Sequence, residues 1–156
     1  MPSILRLERN DDGALDLYLP IGTDRLEVLA EPQATVQRLR DALLVALGDW
    51  FLDETVGLDS EVALGMRGRD PAPGYPLIPP EVEIRRVLSA VPGVRAIREL
   101  EVRALQSEAA AEAAGPEALA LYRRVGGRAY RVTAEILADG GDLQLAAPVS
   151  LAPSGV

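Results

Sequence analysis

The strongest constraint on this chain lies near its C-terminus, where apolar residues recur at every second position along two consecutive stretches. Tyr130, Val132, Ala134, Ile136 and Ala138 lead into Asp139-Gly140-Gly141-Asp142, and Leu143, Leu145, Ala147, Val149 and Leu151 lead away from it. A period of two on both sides of a Gly-rich turn specifies a β-hairpin with one apolar face. Pro148 has no amide hydrogen to give to a neighbouring strand, so the returning strand belongs at a sheet edge.

The upstream chain alternates in a similar way at its start. Leu5 and Leu7 alternate with Arg6 and Glu8, Asn10-Asp11-Asp12-Gly13 supplies a turn, and Leu15, Leu17 and Leu19 return. After a second turn at Pro20-Ile21-Gly22-Thr23-Asp24, Leu26 and Val28 give a short strand. The period then changes. Val36, Leu39, Leu43, Leu44 and Leu47 form one stripe of a helix over 33–47, with Gln37, Arg38, Asp41 and Ala42 off the stripe and Gly48 as its stop.

Residues 65–80 hold Pro71, Pro73, Gly74, Pro76, Pro79 and Pro80, which excludes a helix or a central strand there. Pro80 opens a second helix with Glu81 and Glu83 in its first turn, a stripe of Ile84, Val87, Leu88 and Val91, and Pro92-Gly93 as the stop. Strand character resumes over 94–105, with Arg98, Leu100, Val102 and Ala104 on one face and Ile97 out of phase, which is the mark of a bulge. Residues 107–125 are Ala-rich and helical, broken at Gly115-Pro116. The arrangement is α+β: an antiparallel or mixed sheet with two core helices on one face, a C-terminal β-hairpin and an Ala-rich helical insert. Along the chain it reads as one domain, with N-terminal strands over 1–30, core helices and a strand over 31–105, the insert over 106–127 and the hairpin over 128–151.

Composition narrows the chemistry. The 156 residues include neither Cys nor His, which removes thiol nucleophiles, Ser-His-Asp triads, imidazole bases and zinc sites built on those ligands. All 16 basic residues are Arg, against 24 Asp and Glu, for a formal charge of −8 that repels phosphate backbones and argues against nucleic-acid binding. No signal-peptide pattern and no apolar run long enough to span a membrane is expected. No cofactor is implied.

Carboxylates remain as catalytic candidates. Asp49, Asp53, Glu54, Asp59 and Glu61 cluster around Trp50-Phe51, and a glycan hydrolase would need two such groups across a cleft, one with a raised pKa. They lack the ligand spacing of a calcium loop. The adjacent Trp50 and Phe51 fit anchors that bury about 150–250 Å² each. Arg85, Arg86, Arg95, Arg98 and Arg103 interleave with Glu81, Glu83, Glu99 and Glu101, the pattern of a solvated face with local ion pairs or of an interface built on them. Within the insert, Leu119, Tyr122 and Val125 make one contact stripe, facing either the chain's own domain or a partner.

Two short motifs then stand together. The first helix runs into Gly48-Asp49-Trp50-Phe51-Leu52-Asp53, followed by Gly57, and the second helix leads through Pro92-Gly93-Val94 into a strand. This resembles the phage tail baseplate wedge family, whose members act as sheath initiators in contractile tails and related injection machines. That family carries a GEWFLD…G stretch and a PGV turn at these places, and here Asp49 stands where Glu is usual. The resemblance covers roughly 26–104 and 128–147, and the chain departs from it in a longer 65–80 loop and in the 107–125 insert.

The resemblance implies no catalysis and a virion location in the tail baseplate, after synthesis in the host cytoplasm. The partners it implies are other baseplate wedge subunits, the sheath protein and tail tube or hub proteins. Some members carry a lysozyme label, which a chain without histidine and with scattered carboxylates does not support. The docking sheet is expected at 128–138 and 143–151, with Arg128, Tyr130, Val132, Leu143, Leu145 and Val149 as contact residues for β-augmentation. Two alternatives remain at this point: a carboxylate-dependent cell-wall glycan hydrolase, and a soluble adaptor that binds one regulator through the same edge.

Overall fold

The structure, a computed structural model, describes residues 4–9, 15–17, 27–45, 55, 57–59 and 80–151. Short strands come first: β1 (Ile4–Leu5), β2 (Leu7–Arg9), β3 (Leu15–Leu17) and β4 (Val28–Leu29). β2 and β3 pair as the expected hairpin, with Leu7 opposite Leu17, while β1 pairs with β4. Helix α1 (Gln33–Leu44) follows, then α2 (Pro80–Ser89) and strand β5 (Val94–Ala104). Helices α3 (Glu108–Ala114) and α4 (Pro116–Val125) come next, then a 3-10 turn (Gly126–Arg128) and strands β6 (Ala129–Ala138) and β7 (Gly141–Ser150). β5, β6 and β7 form a three-stranded antiparallel sheet in that order. The fold class is α+β.

The core lies between the sheet and the first two helices. Val132, Ala134, Ile136 and Ala138 of β6 and Leu143, Leu145, Ala147 and Val149 of β7 point to one side. There they meet Leu39 and Leu43 of α1 and Ile84, Val87 and Leu88 of α2, all buried. Every residue of the α2 stripe, including Val91 beyond the helix end, is buried as its spacing requires. Leu44 differs: it stands on the flank of α1 and stays 39% exposed. α1 also ends before Gly48. At Val45 the backbone turns extended, and the Val45 carbonyl accepts the Leu58 amide at 2.8 Å, which draws the chain off the helix axis. Leu47 and Gly48 lie outside the described residues.

β5 carries two bulges. The register skips Arg95 between Val94 and Ala96, and Arg98 between Ile97 and Glu99. Each bulge resets the alternation, so Val94, Ile97, Leu100 and Val102 all pack on the core. Arg98 therefore leaves the apolar face that a strict period of two would assign it, since the second bulge turns it to solvent. Both bulged arginines reach the tip of the β6–β7 hairpin. Arg95 Nε donates to Asp139 Oδ1 at 2.6 Å, and Arg98 Nη1 to Asp142 Oδ2 at 3.0 Å.

The insert folds back on its own sheet. Ala111 of α3 and Ala118 and Leu121 of α4 form a second apolar cluster with Leu105 and Ala129, where β5 ends and β6 begins. Leu119, Tyr122 and Val125 pack around that cluster, so the stripe serves the chain itself. Ser107 caps α3 by accepting the Ala110 amide at 3.1 Å, and Gly115-Pro116 separates the two helices.

Truncating a central contact of the main layer tests this architecture. Ile136→Ala in β6, a fully buried position, is expected to cost about 2–5 kcal/mol in urea unfolding. Gln144→Ala on the exposed face of β7 is expected to stay within about 0.5 kcal/mol of the parent.

Candidate functional site

The sequence places its docking residues on the C-terminal hairpin, and the hairpin's geometry decides which groups a partner can reach. Val132, Leu143, Leu145 and Val149 are buried on the core side, Tyr130 packs partly buried beside them, and Arg128 is exposed at the hairpin base. A partner at this sheet cannot touch those four buried side chains. What it can reach is main chain.

Antiparallel pairs alternate between bonded and open rungs, and the Leu151 amide donates to the Arg128 carbonyl at 3.0 Å. The register then gives β6 the odd-numbered residues of β7, from Gly141 to Val149, and turns the even-numbered residues Asp142, Gln144, Ala146, Pro148 and Ser150 to the outer edge. Pro148 offers no amide there. Arg40 of α1 reaches over with Nη2 3.5 Å from the Ala146 carbonyl. A proline and an arginine thus guard the middle of the edge, a common way to discourage indiscriminate strand pairing. On the opposite edge, Arg85 of α2 covers the Ile97 carbonyl of β5 at 3.3 Å.

β7's edge opens into a channel. A groove of about 690 Å³ lies between β4, α1 and β7, lined among others by Val28, Val36, Asp41, Leu44 and Glu117. A smaller hollow of about 230 Å³ continues past Arg40 to Arg131 and the α3–α4 junction. Ala147 and Pro148 border both. Burial pushes the Asp41 carboxyl up to about 6, because water cannot fully solvate the charge there. The sequence assigned Asp41 to the polar face of its helix, and nothing local to α1 signals its burial, which comes from the elements packed around the groove.

The PGV turn has a structural reason. Gly93 takes φ of +94°, which disfavours a side chain. Its carbonyl accepts the Asp139 amide at 2.9 Å. A Cβ on Gly93 would meet Thr35 Oγ1 at 3.6 Å, and one on Gly140 would meet Pro32 at 4.0 Å, so the turn, the hairpin tip and the start of α1 converge. Glu31 secures that corner. It accepts the Thr35 hydroxyl, the Thr35 amide at 3.2 Å and Arg38 Nη1 at 2.9 Å. The Thr35 hydroxyl contributes most to holding the Glu31 carboxyl below its usual range, with Arg38 adding to it.

A second cluster joins α2 to the chain at 57–59. Glu83, buried, accepts the Asp59 amide at 2.9 Å and Arg86 at 2.6 and 2.9 Å, and Arg86 also donates to the Gly57 carbonyl at 2.9 Å. Glu83 raises the Arg86 pKa further, with Asp59 adding a smaller share. Gly57, the last residue of the first motif, takes φ of +118° here. Gly48, Asp49, Trp50, Phe51, Leu52 and Asp53 lie outside the described residues, as do Glu54 and Glu61. Of the carboxylates proposed for hydrolysis, Asp59 is thus the one described, and it sits beside Glu83 and Arg86 in this ion cluster. Among the described residues no group of three or more Asp and Glu is arranged to hold a metal ion, and no helix is long and apolar enough to cross a membrane. Of the remaining Arg–Glu pattern, Arg103 pairs locally with Glu101 at 2.6 Å.

No protein-family model matches the chain, and no curated protein matches it.

Two substitutions follow from these clusters. Glu83→Ala leaves the Asp59 amide and the half-exposed Arg86 without their acceptor, and is expected to lower unfolding free energy by about 1–3 kcal/mol in urea. At Asp41 the sign is reversed. Its raised pKa means that the ionised form is penalised above about pH 6, and that the penalty fades as pH falls towards the ordinary carboxylate range. Asp41→Asn is therefore expected to raise Tm by about 2–4 °C at neutral pH, with the gain shrinking towards zero in acid, as read by thermal unfolding across a pH series.

Proposed function

We propose that this chain is a structural assembly subunit of a phage tail or tail-like injection machine. In this reading it is a baseplate wedge protein that joins larger subunits and initiates the sheath by accepting a partner's strand. One observation carries the reading: among the described residues β7 is the last strand of its sheet, its outer edge is not used by β6, and at Ala146–Pro148 that edge borders an open groove. Main-chain donors and acceptors at Asp142, Gln144 and Ala146 suit β-augmentation, in which the backbone supplies affinity and neighbouring pockets supply selection.

Further support comes from the PGV residues. Gly93 and Val94 fasten the hairpin tip to the start of β5, so two residues of the PGV turn also hold the proposed docking strand in place. The charge of −8 favours protein over nucleic-acid partners. The partners in this reading are wedge, sheath and tube or hub subunits, and the subunit works within the virion. The glycan-hydrolase alternative gains nothing from Asp59, which shares its cluster with Glu83 and Arg86.

Substitutions on the core side are unsuitable as tests, because a proline or charge at Val132 would break the central layer itself. Gln144 is the better position. Its amide points outward from β7, so Gln144→Pro removes an edge donor and keeps the pairing with β6. The variant is expected to fold like the parent by circular dichroism and to yield no sheathed particles when it replaces the parent in producing cells, scored by electron microscopy. Normal particles from a folded Gln144→Pro variant would sink the reading.

A further inference from the structure

We propose that the channel beside β7 binds an extended partner segment carrying an Arg or Lys among apolar residues, with its backbone on the β7 edge and its cation against Asp41. This inference rests on the assembly reading and specifies the chemistry of the partner strand.

Three features of the channel select that occupant. The first is apolar exposure at its walls: Val28 is 57% exposed and Leu44 39%, both facing the groove, and aliphatic side chains of an added strand would cover them. The second is charge. Among the described residues, the groove is lined by two arginines, Arg6 and Arg40, and by three carboxylates, Glu27, Asp41 and Glu117. Arg6 is paired with Glu27 at 2.8 Å, and Arg40 is turned to the Ala146 carbonyl. Asp41 and Glu117 have no ion-pair partner among the described residues, so the described lining of the larger groove carries one more carboxylate than arginine, while Arg131 stands farther off in the smaller hollow. The third is desolvation of the Asp41 carboxylate, which an incoming guanidinium or ammonium would relieve by direct pairing in a place that water reaches poorly.

The same geometry explains the guard at Ala146. An arriving strand needs that carbonyl for its own ladder, so the long Arg40 contact must release. A segment with an acid at this position meets Asp41 and Glu117 with like charge and is rejected. Acidic strands are thereby rejected by the same groups that favour a basic one.

Two short peptides test this on the full chain. The probes are acetyl-Ser-Val-Thr-Val-Arg-Val-Thr-Ser-amide and the same peptide with Glu in place of Arg, titrated into ¹⁵N-labelled protein at about pH 7.5 and about pH 5.5, on either side of the Asp41 pKa of about 6. The expected result is amide shifts centred on Asp41, Leu44 and Ala147, with the Arg peptide bound about tenfold more tightly than the Glu peptide at the higher pH. That preference should fall at the lower pH, because a protonated Asp41 no longer attracts a cation, and in Asp41→Asn it should be weaker and no longer change between the two pH values. Equal binding of the two peptides, shifts elsewhere on the protein, a preference and pH dependence undiminished in Asp41→Asn, or a groove already filled by self-association would each overturn the inference. Its failure is separable from that of the assembly reading. Peptides that do not discriminate, alongside particles that still require the β7 edge, would remove this inference alone; a clear Arg preference with normal particles from Gln144→Pro would remove the assembly reading instead.

Discussion

The register of the β6–β7 hairpin is the constraint on which the rest depends. Every even-numbered residue of β6 from Val132 and every odd-numbered residue of β7 from Leu143 is committed to one buried layer. A slip of one residue would turn that whole layer to water and bring Arg131, Thr133 and Glu135 into the core. The turn does not fix this register by itself. Asp139 and Gly140 connect the strands without left-handed backbone, and Gly141, with φ of +117°, opens the ladder on the far side. The tip is held from outside instead, by the Gly93 carbonyl on the Asp139 amide and by the two bulged arginines of β5 on Asp139 and Asp142.

That arrangement explains which parts of the fold were legible in the residues. The period-two hairpin, the α2 stripe, the break at Gly115-Pro116 and the edge position signalled by Pro148 all follow from local spacing, and the structure has each of them. The bulge near Ile97 was visible as a break of phase, while its consequence for Arg98 was not, because two skips in one strand must be counted against a partner strand. Contacts across long separations left no local trace. Glu83 and Asp59 are 24 residues apart, and the burial of Asp41 depends on elements far from it in sequence. The six residues named for docking show the limit most clearly. Alternation marks a strand by marking its buried face, so for Val132, Leu143, Leu145 and Val149 the signal that identified the strand also identified side chains no partner can reach.

The candidate site therefore belongs to backbone and rim rather than to the residues that define the strand. A sheet braced on one side by α1 and α2 and at one end by the α3–α4 pair leaves the even-numbered residues of β7 on its outer edge, with Arg40 and Pro148 beside them. In the proposed reading, the acids of the groove supply the selectivity that main-chain bonding lacks, and the apolar layer holds the edge in place.

The most direct test of the central claim is affinity purification of the tagged chain from its producing cells, followed by quantitative mass spectrometry of the proteins that accompany it. The account predicts stoichiometric recovery of large tail baseplate subunits together with a sheath or tube protein. Recovery of the chain alone, or of a single small regulator in a one-to-one complex, would contradict it.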